Sequence, residues 1–171
     1  NRSSSLDILA IFDTRTQGRG MIDEIDKRLL AALQANAQLT SQELGEVLNL
    51  SPSQAGRRRQ RLEESGLIRA YAARIDARKV GLTIQAFVQV QMDRHTADAA
   101  KAFASMVSHQ PEVVSAWTMT GEADYLLRVY CADLPALNRL IHDVLLGHPS
   151  VARVHSQIVM HQFKQDAALP V

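Results

Sequence analysis

Apolar residues change their spacing near the middle of the chain. Up to Gly66 they recur at intervals of three and four, the helical period; beyond Gly81 they alternate, the strand period. MIDEIDKRLLAALQANA, from Met21, predicts a helix with Ile22, Ile25, Leu29, Leu30 and Leu33 in one stripe. Asp23, Glu24 and Asp26 stand near its positive end. Thr40 with Glu43 three residues on forms a capping box for a second, short helix whose apolar face is Leu44, Val47 and Leu48. Asn49 tolerates a left-handed turn. Ser51 then caps a third helix, with Pro52 at its first position, where no amide donor is needed, and Ala55, Leu62 and Leu67 turned to the core. Gly66 ends it. Three helices are the minimum that buries a core around a helix-turn-helix, and LIRAYAARID reads as an extended connector.

In the second half IQAFVQVQM puts Ile84, Ala86, Val88, Val90 and Met92 on one face of a strand. Gln85, Phe87, Gln89 and Gln91 lie on the other, a mixed surface that suits either a second subunit or solvent. A helix from about Ala97 carries Ala100, Phe103, Ala104 and Val107. VVSAWTMT and YLLRVYC are strands joined by the turn GEAD. Leu134, Leu137, Leu140, Ile141, Val144 and Leu145 mark a second helix, and VARVHSQIVMHQF is the closing strand. The order β-α-β-β-α-β is that of the ferredoxin-like split βαβ unit. The fold class is α+β: a winged-helix-like helix-turn-helix over 21–68, an extended linker over 69–81, a ferredoxin-like domain over 82–164 and a tail over 165–171. Residues 1–20 look like an extension or appended tail, with Met21 the expected natural start; a genuine N-terminal arm is the alternative.

Charge sharpens the first half. Lys and Arg number 19 against 18 Asp and Glu, so the net charge is close to zero. Its distribution is not even. Arg57, Arg58, Arg59 and Arg61 fall within five positions, with no acid between Glu46 and Glu63. So basic a helix, second in a helix-turn-helix, points to the major groove of double-stranded DNA. A solvated basic face is the plainer alternative. On the DNA reading, Ser53, Gln54 and Arg57 lie on the turn that reads base edges, Arg58 faces outward beside them, and Arg58, Arg59 and Arg61 grip phosphate. Ser51 supports the helix as its cap.

Other chemistry finds little support. The single Cys131 excludes an intramolecular disulfide and sits in an apolar strand, as a packing residue does. No apolar run reaches the roughly 20 residues that span a bilayer, and SLDILAIF is too short for a signal peptide; the expected place is the cytoplasm. His155 and His161 lie roughly 20 Å apart at strand rise, so six histidines do not make a metal site. No nucleophile elbow, zinc-protease motif or phosphate-binding glycine loop occurs. The expectation is a non-enzyme with no cofactor and no metal.

The segment IDEIDKRLLAALQANAQLTSQELGEVLNLSPSQAGRRRQRLEESGLIRAYAARID, the hairpin TGEADYLLRV and the closing VARVHSQIVMHQFK together resemble the Lrp/AsnC, or feast/famine, family of transcription regulators. The resemblance runs from Met21 to about Lys164. Two residues depart from it: Ala55 stands where the family usually has Val, and Gly56 places a flexible residue in the recognition helix, at a cost of about 1 kcal/mol relative to Ala unless it lets DNA come closer. The resemblance implies homodimers that assemble further, often to octamers, and control of genes of amino-acid metabolism. It also implies a small-molecule effector, such as an amino acid, in a cleft beside the hairpin. Gly121 would open backbone amides to a carboxylate, Asp124 would pair with an ammonium, and Ser156 and Gln157 would add polar contacts. Without the resemblance, Gly-Glu-Ala-Asp is an ordinary turn. Two further readings stay open: an architectural DNA-binding protein that needs no ligand, and an enzyme built on the ferredoxin-like half.

Overall fold

The computed structural model describes residues 22–171; the extension over 1–20 and the expected start at Met21 lie outside them. The chain divides into two compact units, one running to Ala72 and including Asp166–Val171, the other Ala73–Gln165.

The first unit is three helices: α1 (Glu24–Ala35), α2 (Ser41–Leu48) and α3 (Pro52–Glu64). All three begin with a reciprocal capping box, Asp23 with Asp26, Thr40 with Glu43, and Ser51 with Gln54. Each satisfies two of the amides that a helix start leaves open. Leu29, Leu33, Leu44, Leu48, Ala55 and Leu62 form the core, with Ile25, Leu30 and Ile68 packed at its edge. Three expected core positions lie outside it. Ile22 precedes the cap, Val47 is 49% exposed, and Leu67 is 47% exposed because the chain leaves the helix at Ser65 and presents Ile68 instead. The turn between α2 and α3 depends on Asn49, at φ 57° and ψ 47°, and on a 2.9 Å bond from the Leu50 amide to the Gly45 carbonyl. Gly45 is required there, since a Cβ would stand 2.6 Å from the Leu50 carbonyl oxygen. The last residues of the chain also belong to this unit: the Gln34 side chain exchanges two hydrogen bonds with the Leu169 backbone.

The second unit is a four-stranded antiparallel sheet with two helices on one face. Its elements are β1 (Ile84–Met92), α4 (Ala97–Ser108), β2 (Val113–Thr118), β3 (Tyr125–Cys131), α5 (Leu134–Arg139) and β4 (Val151–Ile158). The strand order is β2-β3-β1-β4, the arrangement expected of the split βαβ pattern. Ala86, Val88, Val90 and Met92 are buried with Leu127, Val129 and Cys131 against Phe103, Val107, Leu137, Leu140 and Leu145. Phe103 stacks on Tyr125 with centroids 4.6 Å apart, and His148 meets its edge. The helix begun as α5 continues over Leu140–Leu145 as a π-turn, in which the Leu146 amide reaches back to the Ile141 carbonyl. Leu134 and Ala104, expected in the stripes, are exposed. The closing strand is shorter than its pattern. Its pairing with β1 ends at Ile158, and Met160 and Phe163 are exposed. The sheet face away from the helices carries Gln85, Phe87 and Gln89 beside Leu126, Arg128 and Tyr130, as the β1–β3 register requires.

Candidate nucleic-acid interface and ligand site

The first two turns of α3 present Ser53 and Arg57 to solvent, one turn apart, with the Arg57 Nε 3.4 Å from the Ser53 carbonyl. Ser51 and Gln54 are exposed too, but they serve the helix start. Ser51 Oγ accepts from the Gln54 amide, and Gln54 Oε1 accepts from the Ser51 amide at 3.0 Å. The carbonyl oxygen of Gln54 is thereby committed to the cap, which the spacing alone did not reveal.

The four arginines part company. Arg58 turns inward rather than outward, its Nη1 2.7 Å from Asp23 Oδ2 and 2.8 Å from Asp26 Oδ1. Arg61 reaches the other Asp26 oxygen through Nη2 at 2.5 Å. Asp26 itself is 1% exposed. Arg59 binds Glu63 at 2.9 Å and the Leu39 carbonyl at 3.0 Å, with its guanidinium over the Tyr71 ring. The Tyr71 hydroxyl donates to the same Glu63 oxygen at 2.7 Å. The expectation that Arg58 faces outward is therefore corrected, and Arg58, Arg59 and Arg61 are each engaged by acids of their own chain. For Arg58 and Arg61 the physical reason is that the acids at the start of α1, which read as partners of the helix dipole, also lie against α3; Arg59 is taken by Glu63, one turn on along α3 itself. Arg57 has no acidic partner among the described residues. The Asp26 amide, then Arg58, holds the Asp23 carboxyl below the usual range; Tyr71 and Arg59 do the same for Glu63. Gly56 faces α2, not the exposed side, because a Cβ there would lie 3.1 Å from Ser41 Oγ.

In the second unit, Asp124 closes the hairpin between β2 and β3. Its Oδ2 accepts from the Met92 amide at 2.7 Å, its Oδ1 lies 2.9 Å from His95 Nε2, and its own amide donates to the Val90 carbonyl at 2.9 Å. Both carboxylate oxygens thus have partners in the chain, and His95, which the sequence reading passed over, is one of them. Gly121 sits at φ 112° with open space where a side chain would be, a conformation that favours glycine. Ser156 and Gln157 are not gathered to this hairpin. They pair with Val88 and Phe87 from the far side of β1, roughly 10 Å across the sheet by strand spacing and a further roughly 10 Å along it. As neighbours on a strand they also point to opposite faces of the sheet. A separate groove of about 360 Å³ between α4 and β2 has Phe103, Val107, Ala116, Thr118 and Tyr125 in its walls, and none of the four predicted ligand residues. Burial pushes the Cys131 thiol up, in keeping with packing. Among the described residues no three His, Cys, Asp or Glu side chains converge to hold a metal, and no helix is long and apolar enough to cross a membrane.

Residues 22–69 match the family model for a winged helix-turn-helix DNA-binding domain, and residues 85–169 match that of the Lrp/AsnC ligand binding domain. The chain is 35% identical over 151 residues to the DNA-binding transcriptional activator DecR of Escherichia coli K12, covering 88% of this chain and 99% of that protein. The chain belongs to the Lrp/AsnC family. It is a DNA-binding transcriptional regulator of the Lrp/AsnC type, with α3 the second helix of its helix-turn-helix. It is also similar to the leucine-responsive regulatory protein of Escherichia coli K12, at 29% identity over 150 residues, covering 88% of this chain and 92% of that one. Among solved structures, a Neisseria meningitidis transcriptional regulator crystallised as an L-Met complex superposes with a TM-score of 0.83 at 40% identity, covering 86% of this chain and 96% of that chain. The Lrp/AsnC assignment accounts for the chain's two-unit organisation, a helix-turn-helix followed by a ligand-binding domain.

Proposed function

We propose that this Lrp/AsnC regulator reads a pseudo-palindromic DNA site as a homodimer, with Ser53 and Arg57 at base edges, and that an amino acid or close relative bound by the second domain tunes its output in the cytoplasm. One observation carries the DNA contact: Arg57 stands exposed one turn from Ser53 on α3 and, of the four clustered arginines, is the one with no acidic partner among the described residues. Arg57→Ala is expected to weaken specific binding by about 1–3 kcal/mol and to relax preference at one base pair. Fluorescence anisotropy on matched and single-substituted duplexes measures both, and wild-type affinity and selectivity would remove Arg57 from the reading. Gln54 contributes through its side-chain NH2, its oxygen being held by the cap.

The relative crystallised with L-Met supports an amino-acid effector. Amides near Gly121 take its carboxylate, and its ammonium competes with His95 for Asp124 Oδ1. Ser156 and Gln157 of the same chain lie too far across the sheet to complete this site; copies from a neighbouring subunit would have to supply them. Titration calorimetry with L-methionine and other amino acids tests this in wild type and Asp124→Asn, which keeps the turn's shape and removes the charge. Equal affinities would clear Asp124 of the role. The open face around Phe87 is the proposed dimer contact, and sedimentation at micromolar concentration distinguishes monomer, dimer and octamer. A ligand-independent architectural protein is the second reading, favoured by the fact that both Asp124 oxygens are satisfied within the chain; absence of heat with every amino acid would support it. Neither reading includes an enzymatic step.

A further inference from the structure

The four-arginine run invites the view that the whole run binds DNA, but its geometry is divided by a single buried acid. Asp26 is 1% exposed and gives each carboxylate oxygen to a different arginine of α3, Oδ1 to Arg58 and Oδ2 to Arg61. Arg58 is held a second time by Asp23, the residue that caps α1. A buried carboxylate is expensive unless paired, so this one has reason to keep both guanidinium groups. Arg61 keeps a side chain that is 58% exposed, but its Nη2 is committed to Asp26, whereas Arg57 on the same helix has no acidic partner among the described residues.

We propose that Asp26 is a specificity-determining residue for DNA recognition that never touches DNA. It sequesters Arg58 and Arg61, leaves Arg57 to act, and so limits the sequence-independent part of binding. Affinity through phosphate is indiscriminate and salt-dependent, and each contact adds about 0.9 to the slope of log K against log salt. Removing the charge that holds two arginines should therefore raise non-specific affinity, the opposite of what loss of a structural support does.

The test rests on α3 being the DNA-facing helix, and its arms separate the two ideas. Asp26→Asn keeps the shape and one acceptor. Because Asp23 still holds Arg58, it is expected to steepen the salt slope on random-sequence duplex by up to about 0.9, for the one contact that Arg61 can make, and to lower the ratio of specific to non-specific affinity. Arg61→Met and Arg58→Met are expected to leave the wild-type slope unchanged, while Arg57→Ala flattens it by up to about 0.9 if Arg57 also meets phosphate, or relaxes base preference if it does not. A folded Asp26→Asn protein with an unchanged or flatter slope would overturn the proposal. So would slopes flattened by Arg58→Met and Arg61→Met, an outcome that decides the matter even where Asp26→Asn does not fold. If Arg57→Ala has no effect on slope, affinity or selectivity, it is the assignment of α3 that fails.

Discussion

The two domains solve the problem of a small core differently. The effector domain packs a core of twelve apolar residues, Cys131 among them, between a sheet and two helices. The helix-turn-helix unit buries six apolar residues. It adds polar fasteners: three capping boxes, the Asp23–Asp26–Arg58–Arg61 cluster, and the Arg59–Glu63–Tyr71 cluster. A small helical unit has little area to bury, and directional bonds fix the angle of α3 where few contacts are available to do so. The contrast is therefore between a domain held by area and a domain held by geometry.

The contrast breaks most severely through the smaller core. Leu44 is fully buried in α2, and Leu44→Ala is expected to cost about 2–5 kcal/mol. With only six residues in that core, the unit should melt separately. DNA binding disappears, while the unfolding transition of the effector domain and any amino-acid heat persist. Calorimetry on the intact protein reads both, and a concerted loss of the two transitions would count against separately stabilised domains. Next in size is Gly45→Ala. A Cβ 2.6 Å from the Leu50 carbonyl oxygen forces the backbone of the turn to move, at about 1–3 kcal/mol. Gly56→Ala makes the control, because its new carbon meets the movable Ser41 hydroxyl at 3.1 Å and gains helix propensity of about 1 kcal/mol. If both glycine variants unfold at the same denaturant concentration, the turn is not the rigid joint described.

What the sequence made legible was local. Thr40, Asn49, Ser51 and Pro52 act within a few residues of themselves, so their roles follow from spacing, as does the alternation of Ile84–Met92. Where a partner lies far along the chain, spacing is silent. Arg58 reads as outward because no acid stands three or four residues from it, yet its partners are 35 and 32 residues away. Asp23 and Asp26, three apart on the facing helix, were the available signal. The pattern predicts a longer final strand because Val159 to Phe163 keep strand-like residues, whereas the register ends at Ile158 and one last bond runs from the Val159 amide to the Gln85 carbonyl near the start of β1. Asp124 shows the same limit at the candidate ligand site: its motif marked it, but His95, its partner 29 residues away, carried no mark.

The smallest expected effect tests the contrast through pH. In the helix-turn-helix unit the Asp26 amide and Arg58 hold Asp23 low, the Thr40 amide and hydroxyl hold Glu43 low, and Tyr71 with Arg59 hold Glu63 low. A carboxyl whose folded value is depressed contributes stability that is present above its unfolded value and is lost as pH falls through the folded one. The window is therefore below about pH 4.5, the ordinary carboxylate range. These groups are largely solvated, so each contributes little. In the effector domain burial pushes Tyr125 and Cys131 up. Their sign is the reverse: the contribution is present below the unfolded value and lost as alkali carries the pH through the folded one. Tyr71 is likewise raised, by burial and then Glu63, so alkali acts on both units and only acid discriminates. Thermal unfolding between pH 7 and pH 3 should show the midpoint of the helix-turn-helix transition falling ahead of the other. Substituting Glu63→Gln should reduce that gap. Midpoints that fall in parallel, with and without Glu63, would mean that the polar fasteners orient α3 without contributing measurably to the stability of its domain.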